Sequence, residues 1–211
     1  MKGSQPITCL ISDLGQVLLW FDNGKFFRAA AEFSPFSPEE ISRLVHQNRS
    51  FIEAFDTGRM EPKAFYREVV REIRGQMTHT AFFKIYNDVF SLNRPVLDLY
   101  KSLKTRCRMV LLSNTDPERF GFIRKRFPEI FIFDAYVLSF EVGHLKPHPR
   151  IYEEALKKAG APPGQCLFID DIPQNIQGAE KLGLRTIQYT PETDLKGALE
   201  TLGLVVPSAS V

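Results

Sequence analysis

The chain has 211 residues, 44% of them hydrophobic and 25% charged, and its 27 Lys and Arg against 25 Asp and Glu leave a formal net charge of +2. That length buries a proper core with room for a smaller insert, and the balance of charge argues against a dedicated nucleic-acid surface. No apolar run reaches bilayer-spanning length and MKGSQP at the N-terminus lacks a secretory apolar stretch, so no membrane is expected and the cytoplasm is the expected compartment.

In chain order, Thr8 to Ser12 (TCLIS) is a short apolar run that ends at Asp13, with Gly15 as turn punctuation. It reads as a strand with a carboxylate at its tip. From Phe21 to Leu92 the periodicity is that of amphipathic helices, without convincing strands. Ser37-Pro38-Glu39-Glu40 has the form of a helix start, and Met60-Glu61-Pro62 opens a further run to Arg74. The expected organisation is therefore a core of residues 1–20 and 93–211 with a helical cap of residues 21–92 inserted, hinged near Trp20 to Asn23 and near Ser91 to Pro95.

Beyond the insert, Arg108 to Leu112 (RMVLL) is an apolar run ending in Ser113-Asn114-Thr115, followed by a helix over Pro117 to Arg126. Ala135 to Leu138 reads as a strand and Ile151 to Ala159 as a helix closed by Gly160. Cys166 to Ile169 (CLFI) ends in Asp170-Asp171, a helix runs from Asn175 to Leu182, Arg185 to Gln188 is a further short strand, and Asp194 to Leu202 a closing helix. Pro207 to Val211 reads as a frayed tail. Alternating strands and helices predict an α/β fold, a doubly wound Rossmann-like parallel sheet whose polar strand ends face one crevice.

Cys9, Cys107 and Cys166 form no CxxC pair and sit at apolar stretches, which predicts reduced core thiols. His144 and His148 have the spacing of a helical metal pair, but Pro147 before His148 breaks such a helix, so loop histidines are expected.

Taken together the strand tips resemble the haloacid dehalogenase superfamily, of the type with a helical cap. Four motifs carry the likeness in order: Asp13-Leu14-Gly15-Gln16-Val17-Leu18, then Leu112-Ser113-Asn114-Thr115, then Gly143-His144-Leu145-Lys146-Pro147, then Phe168-Ile169-Asp170-Asp171 continuing to Asn175-Ile176-Gln177-Gly178-Ala179. Singly each is a turn, a cap or a solvated lysine; the ordered set is not. The resemblance implies a magnesium-dependent phosphatase of a small phosphorylated metabolite, nearest to glucose-1-phosphate phosphatases. Asp13 would attack phosphorus and form an aspartyl-phosphate. Ser113 and Asn114 would bind the phosphoryl oxygens, and Lys146 would supply a fixed positive charge beside Asp13. Asp13, Asp171 and the Gly15 carbonyl would hold Mg2+, with Asp170 and Asn175 behind them, although Asp170 and Asn175 read equally as helix caps.

One departure matters. The phosphatases of this superfamily mostly carry a second aspartate two residues after the nucleophile, and here that position is Gly15. Loss of a general acid/base costs about 100-fold to 10,000-fold. Two other readings follow: a metal-independent 2-haloacid dehalogenase, against which Asp170-Asp171 argues, and a catalytically silent relative that binds a phosphometabolite. In the cap segment FIEAFDTGR, Phe51, Phe55 and Arg59 are candidate pocket residues, though the spacing of Phe51 and Phe55 fits a helix buried in the cap better. A monomer or weak homodimer is expected.

Overall fold

The computed structural model describes residues 5–204, so the first residues of MKGSQP and the expected tail Pro207 to Val211 lie outside it. In chain order the elements are β1 (Cys9–Ser12), β2 (Leu19–Phe21), α1 (Asn23–Ala31), α2 (Pro38–Gln47), α3 (Arg49–Asp56), α4 (Pro62–Glu72), α5 (His79–Asn87), β3 (Phe90–Leu92), α6 (Arg94–Leu103), β4 (Arg108–Ser113), α7 (Pro117–Arg126), β5 (Ala135–Leu138), α8 (Ser139–Val142), α9 (Pro149–Ala159), β6 (Cys166–Asp170), α10 (Pro173–Glu180), β7 (Arg185–Gln188) and α11 (Leu195–Thr201).

Five strands form a parallel sheet in the order β5-β4-β1-β6-β7. The three central strands read as unbroken apolar runs because both faces are covered. Leu10, Met109, Leu111, Leu167 and Ile169 enter one hydrophobic layer, and their neighbours Cys9, Ile11, Val110, Leu112 and Phe168 enter the other. That alternation is the two-residue repeat of a strand. All three cysteines are buried and free, as their apolar settings predict.

Winding runs outward from β1 to β4 and β5, then back across to β6 and β7, so the strand order reverses beside β1. A crevice opens at such a switch point, outside the carboxyl ends of the strands. Asp13, Ser113 and Asp170 stand at three adjacent ends.

Six helices have Pro in their first turn, where the missing N–H would find no helical acceptor. This is why α9 and α10 begin at Pro149 and Pro173, two residues ahead of the apolar periodicity that announces them. His148 caps α9 instead of lying within a helix. Ser37 makes a full capping box with Glu40 at the start of α2.

Helices α1 to α5 pack around their own core of Phe26, Phe55, Phe65, Phe82 and Tyr86, in which Phe55 stacks on Phe65 with centroids 4.2 Å apart. Aromatic contacts of this kind are worth roughly 0.5–1.5 kcal/mol beyond the area they bury. A ribbon not expected from sequence joins the two ends of this unit: β2 pairs antiparallel with β3, Trp20 opposite Ser91. Three-residue strands are too short to show an alternating pattern.

Candidate active site

Register places the first two carboxylates. Ser12 of β1 lies beside Ile169 of β6, which brings the next residues, Asp13 and Asp170, to the same level of the sheet. Lys146 reaches between them from the loop before α9. Its Nζ lies 2.8 Å from Asp13 Oδ1 and 2.6 Å from Asp170 Oδ2 and donates to the Leu112 carbonyl at 3.2 Å, so all three ammonium protons have acceptors. The lysine and Asp170 are buried, and the Asp13 side chain is only 10% exposed.

Each carboxylate has a distinct environment. Asp13 Oδ1 also accepts from the Leu14 N–H at 2.7 Å. Asp170 accepts on Oδ1 from the Ile172 N–H at 2.8 Å and on both oxygens from Asn175 Nδ2, at 2.9 and 3.1 Å. With Lys146 added, its acceptor positions are filled. Asn175 is therefore the support of Asp170 and not the cap of α10, whose capping position is Ile172. Asp171 is half-buried and completes a cluster in which oxygens of Asp13, Asp170 and Asp171 lie within 4.8 Å of one another.

The electrostatics of this arrangement are unbalanced. Burial pushes the Asp13 carboxyl up to about 7, with Lys146 opposing and Asp170 adding to the rise. Asp171 is raised as well, by burial first and then by Asp170. For Lys146 burial works downward, but Asp13 and Asp170 outweigh it and hold the ammonium above its ordinary value. Three carboxylates against one lysine leave two negative charges uncompensated in a partly desolvated crevice. A divalent cation with a preference for hard oxygen ligands fits that deficit.

The second motif also lies at the crevice. Ser113 is buried at the tip of β4. The Asn114 amide is engaged with the third motif: it donates to the Lys146 carbonyl at 3.1 Å and accepts from the Lys146 N–H at 2.8 Å. It thus fixes the backbone from which the lysine projects. Gly15 has Phe21 beside it, since a Cβ there would stand 3.0 Å from Phe21 Cε1.

Of the cap residues singled out in the sequence, Phe51 and Phe55 are buried in the cap core. Arg59 pairs with Glu53 at 3.1 Å, both side chains about 60% exposed. Sequence reasoning missed a second polar cluster at the seam of cap and core, made by Asp56, Tyr86, Asp116 and Arg119. Asp56, Tyr86 and Arg119 border a cavity of about 450 Å³ that reaches Asn114 and Leu145. The one signal for it was Asp116-Pro117, a capping aspartate before a helix-opening proline. A larger groove of about 910 Å³ beside the ribbon, bordered by Trp20, Asn93 and Tyr189, contains none of the motif residues.

The comparisons agree with this geometry. A family model described as haloacid dehalogenase-like hydrolase matches residues 14–183. A D-ribitol-5-phosphate phosphatase of Bacteroides thetaiotaomicron is 27% identical over 203 residues, 92% of this chain and 97% of that protein. A haloacid dehalogenase family enzyme of the same organism, solved with magnesium and inorganic phosphate, shares the fold at a TM-score of 0.80 and 24% identity over 91% of this chain and 98% of that one. The L-2-haloacid dehalogenase of Xanthobacter autotrophicus shares it at 0.66 and 16% identity, over 96% of this chain and 85% of that one. With a matched family model over most of its length and the family's carboxylate cluster at the strand ends, the chain belongs to the haloacid dehalogenase-like hydrolases.

Proposed function

We propose that this hydrolase is a magnesium-dependent phosphatase of a small phosphorylated metabolite, a sugar or polyol phosphate, acting through an aspartyl-phosphate. The observation that carries the reading is the buried Lys146 ammonium between Asp13 and Asp170, with Asp171 in the same cluster. A metal-free dehalogenase has no use for that surplus of negative charge. Asp13 is the nucleophile: one Oδ forms a bond to phosphorus while the P–O bond to the alcohol breaks, and the alcohol oxygen leaves with the electron pair. The departing oxygen takes its proton from solvent; water then attacks the phosphoryl group and gives a proton back to solvent, phosphate departs, and the Asp13 carboxylate is restored.

The residues divide the remaining work. Lys146 holds Asp13 ionised and in place. The Ser113 hydroxyl and the main-chain N–H of Asn114 bind phosphoryl oxygens, while the Asn114 side chain keeps the Lys146 loop in register. Asp13, Asp171 and the carbonyl of Gly15 hold the magnesium ion, which supplies charge neutralisation at the phosphoryl oxygens. Asp170 and Asn175 keep Lys146 and the strand end rigid behind it.

Gly15 places no carboxyl group where a leaving alcohol would collect its proton. Esters whose alcohol leaves readily, such as anomeric phosphates, therefore suit this site, and the resemblance to glucose-1-phosphate phosphatases points the same way. The relative that acts on D-ribitol 5-phosphate supports a polyol phosphate. The reading rests on an assay of phosphate release from phosphorylated sugars, polyols and p-nitrophenyl phosphate, with magnesium and with a chelator, for the wild type and Asp13→Asn. Release that needs both the metal and Asp13 is the expected result. Chelator-insensitive halide release from a 2-haloacid, or ligand-induced stabilisation without any turnover, would reject it.

A further inference from the structure

Directly beneath the nucleophile the core departs from its apolar pattern. Ser12 is on the face of β1 that also carries Leu10, and that face enters the hydrophobic layer with Leu111, Leu167 and Ile169. Tyr100 of α6 enters the same layer, so two hydroxyl groups meet where apolar side chains would pack. Both residues are 0% exposed and their side-chain oxygens lie 3.0 Å apart. A buried hydroxyl costs free energy unless its hydrogen bonds are made.

These bonds have one possible polarity. Ser12 Oγ lies 2.7 Å from the main-chain carbonyl oxygen of Asp13, which can only accept, so the single Ser12 proton is committed there. The contact with Tyr100 therefore runs the other way, the Tyr100 O–H donating to Ser12 Oγ. Burial raises the Tyr100 hydroxyl above its ordinary value, which keeps that proton in place. The carbonyl at the end of this chain belongs to the peptide joining Asp13 to Leu14. The other end of the same peptide is the Leu14 N–H, which donates to Asp13 Oδ1 at 2.7 Å. A peptide group is planar, so fixing its carbonyl fixes its N–H, and a carbonyl that accepts a bond leaves its N–H the stronger donor. Tyr100, Ser12, the peptide and the nucleophilic carboxylate thus stand in series. Lys146 Nζ is the second donor to Oδ1, at 2.8 Å, while Oδ2 has no partner among the described residues.

We infer that Tyr100 and Ser12 are positioning residues of this hydrolase: through the Asp13–Leu14 peptide they hold the carboxylate with Oδ1 engaged and Oδ2 left for phosphorus. The inference rests on the phosphatase reading and adds to it a support that reaches the nucleophile from the core. Neither residue touches the substrate, so their loss slows the chemical step and leaves binding alone.

The test measures kcat, KM and melting temperature for wild type, Tyr100→Phe, Ser12→Ala and the double variant, with p-nitrophenyl phosphate and magnesium. Tyr100→Phe removes one donor and keeps the ring that packs edge-on against Phe133. It is expected to lower kcat about 10-fold to 100-fold, the loss that a slightly misplaced reacting group brings, with KM within about twofold of wild type. Ser12→Ala leaves the Tyr100 hydroxyl buried without an acceptor and is expected to melt at a lower temperature as well as to lose kcat. The double variant separates packing from positioning, because replacing both partners by apolar groups removes the unpaired hydroxyl. It is expected to melt higher than Ser12→Ala while its kcat stays as low, the second change costing nothing more in a chain already broken. A kcat restored to the wild-type value in the double variant, losses that multiply, an unchanged kcat in Tyr100→Phe, or a loss carried by KM would overturn the inference, and wild-type turnover would keep the phosphatase reading intact. If Ser12→Ala fails to fold, Tyr100→Phe and the double variant decide. Absence of turnover by the wild type would reject both.

Discussion

The Ser139 hydroxyl donates to the main-chain carbonyl of Asp56 at 2.6 Å and accepts from the Thr115 N–H at 2.9 Å. One buried side chain on α8 thereby ties the last turn of a cap helix to the loop that follows Ser113 at the tip of β4 and carries Asn114. Ser139→Ala leaves the Thr115 N–H buried without a partner, at a cost of about 1–3 kcal/mol. A lower urea midpoint, together with a raised KM for the phosphorylated substrate, is the expected outcome; a midpoint equal to wild type would show that the contact carries no stability.

Close to that tie, Gly58 has a φ of +69°, and a Cβ on it would stand 2.2 Å from the Phe140 carbonyl oxygen. Gly58→Ala therefore adds left-handed strain of roughly 1–2 kcal/mol to a backbone clash that only separation of α3 from α8 can relieve. Thermal unfolding should fall by at least about 5 °C for a chain of this size. An unchanged melting temperature would mean that the cap does not need to dock here.

Lys146 has three acceptors and two of them are carboxylates. Replacing it with Met leaves buried charge without compensation, at a cost of about 3–5 kcal/mol. Phosphate release should drop to background. Arg is not a substitute, because a planar fork cannot meet three acceptors converging on one nitrogen. Recovery of activity in Lys146→Arg would contradict this geometry.

Magnesium should stabilise the folded protein, because the cluster of Asp13, Asp170 and Asp171 exists only in the fold. At about 100 times its dissociation constant a ligand contributes roughly 2.7 kcal/mol. The melting temperature is expected to rise with added magnesium in the wild type and to lose that dependence in Asp171→Asn. The same rise in the variant would remove Asp171 from the metal site.

Burial pushes the Asp56 carboxyl up to about 7, Asp116 adding to the rise and Arg119 opposing it. Tyr86 and Glu53 border the same space. An acid whose folded value is raised binds its proton more tightly in the folded state, so it detracts from stability as pH climbs from the unfolded value through about 7. Asp56→Asn should thus stabilise the protein at pH 8 by about 1 kcal/mol or more, and progressively less toward pH 4. Denaturant midpoints measured across that range check the sign; a gain that grows on acidification would refute it.

Much of this was legible in the sequence because it is local. The apolar runs at Cys9, Arg108 and Cys166 announce strands, and Asp13, Ser113-Asn114 and Asp170-Asp171 stand at their ends by chain position alone. Proline and glycine punctuation located several of the helices, though not α6 (Arg94–Leu103), and the motif order carried the family. What a linear pattern does not contain is which tips become neighbours. The sheet order puts β1 between β4 and β6, and only that order brings the Lys146 ammonium within hydrogen-bonding distance of two carboxylates and the Leu112 carbonyl. The seam of Asp56, Tyr86, Asp116 and Arg119 left only the capping pair Asp116-Pro117 in the sequence, for the same reason. Each of these residues is ordinary in its own helix, and their meeting is decided by how the cap packs on the core, since contacts between distant segments depend on packed surfaces and not on the residues beside them in the chain.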